Sequence, residues 1–168
     1  MKNRTPASTH KKVVVLLSDR KALKGYVSPA ALGHSDAIDL LTLDGEHESI
    51  ALRDVKAIYF VREFKDPIEP ERKTFLSRPK LDGLWVRLRF RDEDSMEGIV
   101  ANNLLDLLDV GVHLTPPDLH GNVLYMFIPR SSLSEMKVLG VVGVARRSPR
   151  ATRGIGAVLG AQSKLFTE

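Results

Sequence analysis

Two stretches of this 168-residue chain carry the same pattern of residues, and the second lies 73 positions after the first. VVVLLSDRKALKGYV occupies 13–27 and VRLRFRDEDSMEGIV occupies 86–100. Apolar residues align with apolar residues, the polar turns coincide, and Gly25 coincides with Gly98. Because self-similarity at a fixed spacing indicates repeated structural units, the chain is predicted to fold as two related units.

Each unit is predicted to form short β-strands, because β-branched, aromatic and leucine-rich runs alternate with polar turns. IDLLTL at 38–43 and SIAL at 49–52 flank Asp-Gly, a pair that favours a tight hairpin. The corresponding runs are VGVHL at 110–114 and VLYMFI at 123–128, where the offset has grown to 78 through a longer turn. Closure of small sheets removes exposed edges. We therefore expect an all-β protein of two tandem small SH3-like or Sm-like barrels.

The composition divides the chain further. Three prolines among alternating charges predict a Pro-rich charged linker between the barrels. We expect Phe75 and Leu76 to pack this linker onto one of the barrels. The predicted segments are a basic N-terminal tail at 1–11, a first small β-barrel at 12–62, a linker at 63–83, a second small β-barrel at 84–143, and a basic C-terminal tail at 144–168. Residues 12–62 and 84–143 are called the first and second repeats below.

The absence of cysteine from the sequence excludes disulfides, thiolate zinc sites and cysteine nucleophiles. The apolar run behind the basic N-terminus is too short for a signal-peptide core. VLGVVGVA near residue 140 and GIGAVLGA near residue 157 fall short of the roughly 20 residues that a membrane span needs. We expect a cytoplasmic protein without a membrane span.

The sequence offers no persuasive catalytic set. The five histidines have no metal-ligand spacing, and no nucleophile, base and orienting acid lie at a persuasive spacing. We therefore expect a protein that is not an enzyme and that holds no cofactor and no metal.

Three acidic residues, Asp92, Glu93 and Asp94, crowd one predicted turn. They take the positions that the first repeat gives to Asp19, Arg20 and Lys21. Two of the three charges thus reverse sign between the repeats. Since a hairpin tip requires only polarity, this comparison favours a solvated tip over a metal site.

Arg87, Arg89 and Arg91 alternate along a predicted strand and must project from one face. Such a row could hold phosphate groups of RNA or another anion. The alternative is a solvated face paired with acidic neighbours such as Asp106 and Asp109. The C-terminal tail adds further candidate anion contacts, which are Arg146, Arg147, Arg150 and Arg153.

The corresponding strand of the first repeat is apolar where the arginines stand, with Val14 and Leu16 on that face. A bare apolar outer face is unfavourable in water. We expect Val14 and Leu16 to form an apolar interface that the linker, the second barrel or a partner subunit covers.

The strand order, with a glycine late in the second strand, resembles the Sm-like and SH3-like small barrels. VVVLLSDRKALKGYV through DAIDLLTLDGEHESIALRDVKAIYFV is similar in pattern to bacterial Sm-like RNA chaperones. That resemblance implies RNA binding by a ring of subunits. The second repeat, ending in VLYMFIPRSSLSEMKVLGVVG, is similar to segments of uncharacterised bacterial proteins and implies no activity.

EDSMEG at 93–98 also partly resembles the second motif of PilZ domains, which helps bind cyclic di-GMP. Ser95 and Gly98 match that motif, and Glu93 stands in its leading Asn or Asp position. Arg87 and Arg91 have the spacing of the upstream arginine pair but lie much closer to the motif.

Our leading expectation is a non-catalytic regulatory or adaptor module that binds a protein partner or associates with itself. The alternative is Sm-like RNA or nucleic-acid binding through the arginine strand face and the basic tails. The third is PilZ-like sensing of cyclic di-GMP.

Overall fold

The computed structural model describes residues 9–107 and 109–143, and this part of the chain is built mainly of β-strands. The strands are β1 Lys11–Leu17, β2 Ala22–Val27, β3 Ala37–Thr42, β4 His47–Ala51, β5 Val55–Val61, β6 Gly83–Phe90, β7 Ser95–Val100, β8 Gly111–Leu114, β9 Val123–Pro129 and β10 Leu133–Val142. Short 3-10 helices span Pro29–Ala31, Leu52–Asp54 and Arg130–Ser132, and one α-helical turn, α1, spans Leu104–Leu107. The predicted all-β class is confirmed.

The strands form two open sheets. The larger has seven strands in the order β4-β3-β2-β1-β5-β9-β8, and the smaller has the order β10-β6-β7. Neither sheet of the described residues closes into a barrel of the predicted kind. The reason is that β9 of the second repeat pairs with β5 of the first, with Phe127 opposite Ile58 and Tyr125 opposite Phe60. The larger sheet therefore crosses from one repeat into the other.

The polar turns of the two repeats have the same backbone structure. In the first, the Leu17 N–H donates to the Lys21 carbonyl at 2.8 Å, and in the second the Phe90 N–H donates to the Asp94 carbonyl at 2.8 Å. Arg20 and Glu93 occupy the same place in these turns and both adopt positive φ, at 72° and 70°. The alignment made from sequence thus corresponds to repeated geometry.

Two apolar clusters form the core, and each draws on both repeats. One joins Val14, Ala57 and Tyr59 of the first repeat to residues of the second, including Val86 and Leu88. The other consists of first-repeat residues together with Phe127, and Tyr125 stacks on Phe60 with 4.2 Å between ring centroids. The repeats therefore share their cores: the first cluster joins both, and the second includes Phe127 of the second repeat.

Of the two residues expected to pack the linker onto a barrel, Phe75 does so and Leu76 does not. Phe75 meets the Trp85 ring edge-on, with the centroids 6.1 Å apart. Leu76 is 82% exposed, so its predicted docking is wrong. An isolated leucine on the surface is common and needs no partner. Residues 1–8 and 144–168 of the predicted tails lie outside the described residues.

The matched glycines mark places where neighbouring chains approach closely. A Cβ on Gly98 would lie 2.4 Å from Leu114 Cδ1, and a Cβ on Gly25 would lie 2.8 Å from Leu40 Cδ1. Both leucines are fully buried. A side chain at either glycine would therefore have to displace a packed core residue.

We predict that Gly98→Ala lowers the free energy of unfolding by about 1–3 kcal/mol, because Leu114 must move to admit the methyl group. Urea denaturation measures this change. Gly140→Ala is the matched control: it also lies in a strand, nothing lies within 4 Å of its added Cβ, and a change within about 0.5 kcal/mol is expected. Equal stability of the two variants would contradict the close packing at Gly98.

Candidate functional site

The acidic turn is the meeting point of the first repeat, the linker and the second repeat. Lys56 Nζ on β5 donates to Asp92 Oδ2 at 2.7 Å and to Asp94 Oδ2 at 3.1 Å. Lys73 Nζ of the linker donates to Asp94 Oδ1 at 2.9 Å. Lys56 Nζ also lies 4.9 Å from the centroid of the Phe90 ring, close enough for a cation–π contact. The turn is thus bound by lysines from two other segments.

These contacts change the protonation of the turn. Hydrogen bonding from Lys56 lowers the pKa of Asp92. Burial opposes ionisation of Asp94, but the hydrogen bonds from Lys73 and Lys56 outweigh it and lower the pKa of that carboxyl. Burial likewise disfavours the Lys56 cation, yet its two aspartate partners raise the pKa of Lys56. All three groups are held in their charged forms near neutral pH.

We predict that Lys56→Met lowers the free energy of unfolding by about 1–2 kcal/mol at neutral pH, because two half-buried carboxylates lose their shared cation. Lys65→Met is the control, since its pair with Glu63 is exposed and a change within about 0.5 kcal/mol is expected. Urea titrations give both values.

The effect of Lys56→Met depends on pH with a definite sign. The aspartate pKa values are lowered in the folded protein, so the stabilisation is fully present above their ordinary value of about 3.9 and is lost as the pH falls through the lowered values. The difference between wild type and variant should therefore shrink on acidification. A difference that persists at about pH 2 would contradict the ion pairs.

A second polar cluster holds the linker against β6 and β7. Glu97 is the buried charged residue of the described chain. Its Oε1 accepts from Arg87 Nη2 at 2.8 Å, and its Oε2 accepts from Trp85 Nε1 at 3.1 Å and from the Phe75 N–H at 3.2 Å. The Glu97 N–H donates to the Lys73 carbonyl at 2.6 Å. Burial opposes its ionisation, but these donors, Arg87 foremost, lower the pKa of Glu97.

We predict that Glu97→Gln releases the linker, because a neutral amide replaces the charged acceptor of three hydrogen bonds. Limited trypsin digestion should cleave after Lys73 or Lys80 about tenfold faster than in wild type. Glu93→Gln is the control, since Glu93 is exposed and pairs with Arg89 outside the linker contact. Unchanged cleavage in Glu97→Gln would show that this cluster does not hold the linker.

The three arginines of the row, Arg87, Arg89 and Arg91, each have a hydrogen-bond partner within the chain. Arg87 binds Glu97, Arg89 binds Glu93, and Arg91 Nε donates to the Ser131 carbonyl at 2.6 Å. The carboxylates that hold Arg87 and Arg89 are thus glutamates of the same hairpin, and not the Asp106 and Asp109 that we named as neighbours. Two of the three positive charges are balanced, so this face carries little net charge for an anion. Arg146, Arg147, Arg150 and Arg153 lie outside the described residues.

The apolar pair of the first repeat lies against the second. Val14 is buried in the shared cluster and Leu16 packs against it while partly exposed. The PilZ-like stretch serves the hairpin: Glu93 pairs with Arg89, Ser95 begins β7, and Gly98 packs under Leu114. Among the described residues no three His, Asp or Glu side chains come together as a metal site.

An apolar strand edge is the feature that the sequence reasoning missed. β10 pairs with β6 alone, so its other backbone edge has no strand partner in the described chain. The large apolar side chains exposed along it are Met136, Val138, Leu139 and Val141, beside the exposed Ser134, Glu135 and Lys137. We call this surface the β10 edge. The run VLGVVGVA near residue 140 carried the signal, since it is more apolar than a solvent-facing edge strand requires.

The side chains of the β10 edge belong mostly to the inner side of the sheet. Met136 lies opposite Leu88, Val138 opposite Val86 and Val141 opposite Leu84, and all three β6 residues are buried. The three β10 residues are nevertheless 36%, 55% and 60% exposed. These three β10 side chains therefore face the same side of the sheet as the core, but they are not buried by other described residues.

A shallow groove continues from this surface. It has a volume of about 330 Å³, and its apolar walls are Leu107, Val112, Leu133 and Met136. At the other end of the β10 edge, Arg78 Nη2 of the linker donates to the Val141 carbonyl at 2.8 Å. The stretch without a backbone partner is therefore the middle of β10, beside the groove.

The fold and these surfaces define an all-β protein whose polar clusters join its own segments. The chain matches the sequence profile of a family of unknown function, DUF6982, over residues 9–140, and it belongs to that family. No curated protein and no solved structure matches it. No helix of the described residues is long and apolar enough to cross a membrane.

Proposed function

We propose that this protein is a non-catalytic regulatory or adaptor module that binds a protein partner by strand addition at the β10 edge. The observation that carries the proposal is the inner side of β10, where Met136, Val138 and Val141 are exposed on a strand whose outer edge has no strand partner among residues 9–107 and 109–143. A free edge supplies main-chain hydrogen bonds to an extended segment, and apolar side chains at alternate positions supply affinity.

Internal comparison supports a docking role for this strand. By the repeat alignment, Met136 and Val138 correspond to Ile58 and Phe60 of β5. Those two residues are 0% and 1% exposed, because β9 lies beside β5 and brings Phe127 and Tyr125 against them. The same strand position is thus covered by a neighbouring strand in one repeat and left open in the other.

The polar clusters support a non-catalytic role. Asp92, Asp94 and Glu97 each accept hydrogen bonds from cationic side chains within the chain. Their lowered pKa values hold them as carboxylates, which suits ion pairing and does not suit proton donation at neutral pH.

We also propose that both repeats derive from one small-barrel pattern of the SH3-like or Sm-like kind. The first repeat has the strand order β4-β3-β2-β1-β5. The second has the equivalent order β9-β8-β7-β6-β10, if the single bridge between Ile99 and Thr115 is taken to join β8 to β7. For the compartment we propose the cytoplasm, where a chain without cysteine needs no oxidising surroundings.

RNA binding and cyclic di-GMP sensing rank below protein binding. The arginine row is largely neutralised by Glu97 and Glu93, and electrostatic attraction to phosphates depends on unbalanced cations. Glu93, the leading residue of the PilZ-like stretch, is engaged with Arg89.

A peptide-display selection on the immobilised protein tests protein binding. We expect extended peptides with apolar residues at alternate positions, and we expect Val138→Lys to weaken their binding by about 100-fold, because a charge enters the centre of the contact. Leu124→Lys on β9 is the control, since Leu124 is exposed on a different strand and should leave binding unchanged. Urea denaturation checks that both variants fold.

Two outcomes would contradict this function. In one, no peptide is enriched, or the enriched peptides bind Val138→Lys as tightly as wild type. In the other, mixed RNA forms a complex at low ionic strength that Arg87→Ala weakens, or calorimetry with cyclic di-GMP gives heat. Complex formation with RNA would favour nucleic-acid binding, and heat with cyclic di-GMP would favour second-messenger sensing.

A further inference from the structure

The described strands leave two outer edges with unlike chemistry. The seven-stranded sheet ends at β4 and β8, and the three-stranded sheet ends at β7 and β10. A bridge between Ile99 of β7 and Thr115, the residue after β8, ties two of these edges together, and the Glu97 N–H of β7 donates to the linker at Lys73. β4 and β10 are therefore the outer edges of the described strands. Edge strands with free backbone groups invite pairing with another chain, and proteins discourage it with short strands and polar side chains. β5 is the strand of the first repeat that corresponds to β10, and β9 pairs with its edge. The residues that β9 places against β5 show what a strand pairing with β10 must supply.

A strand that pairs with β10 and buries its exposed side chains must carry apolar residues at alternate positions. On β9, the strand that covers β5, these residues are Tyr125 and Phe127. By the repeat alignment, the positions that correspond to them on β4 hold His47 and Ser49. Both are exposed, and His47 Nδ1 lies 3.0 Å from Asp39 Oδ2. β4 is therefore a polar edge and would leave Met136 and Val138 against polar groups.

The strand edge of the described chain that does present suitable residues is β10 itself. With ten residues it is the longest of the strands that the structure describes, and Met136, Val138 and Val141 lie on one side of it. Two identical strands that pair antiparallel bring the same apolar side chains together from both copies. Such a contact closes on itself with twofold symmetry and needs no second surface.

We infer that the strand covering the β10 edge is β10 of a second copy of this chain, paired antiparallel about a twofold axis. The inference rests on the proposed function, because it names the partner of the same surface. Apolar side chains exposed on each copy become buried, and the three-stranded sheets of two copies join into one.

Single cysteines test this arrangement cleanly, because the chain has none of its own. Met136→Cys, Val138→Cys and Leu139→Cys are prepared one at a time and oxidised. Directly opposed residues of an antiparallel pair lie about 4.5–5.5 Å apart between Cα atoms, which a disulfide can span. We expect at least one of these variants to cross-link to itself as a dimer. Ser49→Cys on β4 is the control and should stay uncross-linked.

Sedimentation equilibrium on the full chain gives the second measurement. Wild type is expected to be a dimer with a dissociation constant on the order of micromolar, as for a small interface. Val138→Lys should raise that constant by about 100-fold, and Leu124→Lys should leave it unchanged. Peptides from the display selection, added in excess, should dissociate the wild-type dimer.

Four results would overturn the inference. Assemblies larger than a dimer, with cross-links when Ser49→Cys and Val138→Cys are mixed before oxidation, would mean head-to-tail pairing of β4 with β10. A monomer whose cysteine at 138 resists alkylation would mean that another segment of the same chain covers β10. A monomer that binds the selected peptides through Val138 would contradict the dimer and support the proposed function. A monomer that binds no peptide would contradict both the dimer and the proposed function.

Discussion

The pairing of β5 with β9 is the contact on which the rest of the structure depends. It converts two repeats with similar strand patterns into one seven-stranded sheet, and it places Phe127 in the core of the first repeat. Once β9 lies beside β5, residues such as Val14 and Tyr59 face the second repeat and become buried. Both cores then contain residues of both repeats, so the chain gains a larger buried interior than either repeat would have alone.

Charged groups secure this union from the outside. Lys56 reaches from β5 to the acidic turn, Lys73 reaches from the linker to the same turn, and Glu97 collects donors from β6 and the linker. The two lysine contacts join segments that are distant in sequence, whereas Arg87 and Glu97 belong to one hairpin; each contact is partly shielded from water. Such pairs contribute little by themselves, but they penalise any other arrangement in which a carboxylate loses its cation.

The sequence allowed prediction of what depends on local pattern. The repeat, the Asp-Gly hairpin, the polar turns and the matching of Gly25 with Gly98 were all read from local sequence pattern. The close approach of neighbouring strands at those glycines was not predicted. The pairing of β5 with β9 could not be predicted, because it depends on which apolar faces meet across the repeats. The burial of Glu97 was missed for a related reason: the linker that covers it has no periodic pattern.

Divergence between the two polar turns has a consequence for how the repeats recognise each other. The position of Lys56 is taken by Ser134 in the second repeat, and the positions of Asp92 and Asp94 are taken by Asp19 and Lys21 in the first. By this alignment, association of two first repeats would set Lys56 against one aspartate and one lysine, Asp19 and Lys21. Association of two second repeats would set Ser134, in place of Lys56, against Asp92 and Asp94. The charge pairing through Lys56 is therefore available only when a first repeat meets a second repeat, which favours this combination over two like repeats.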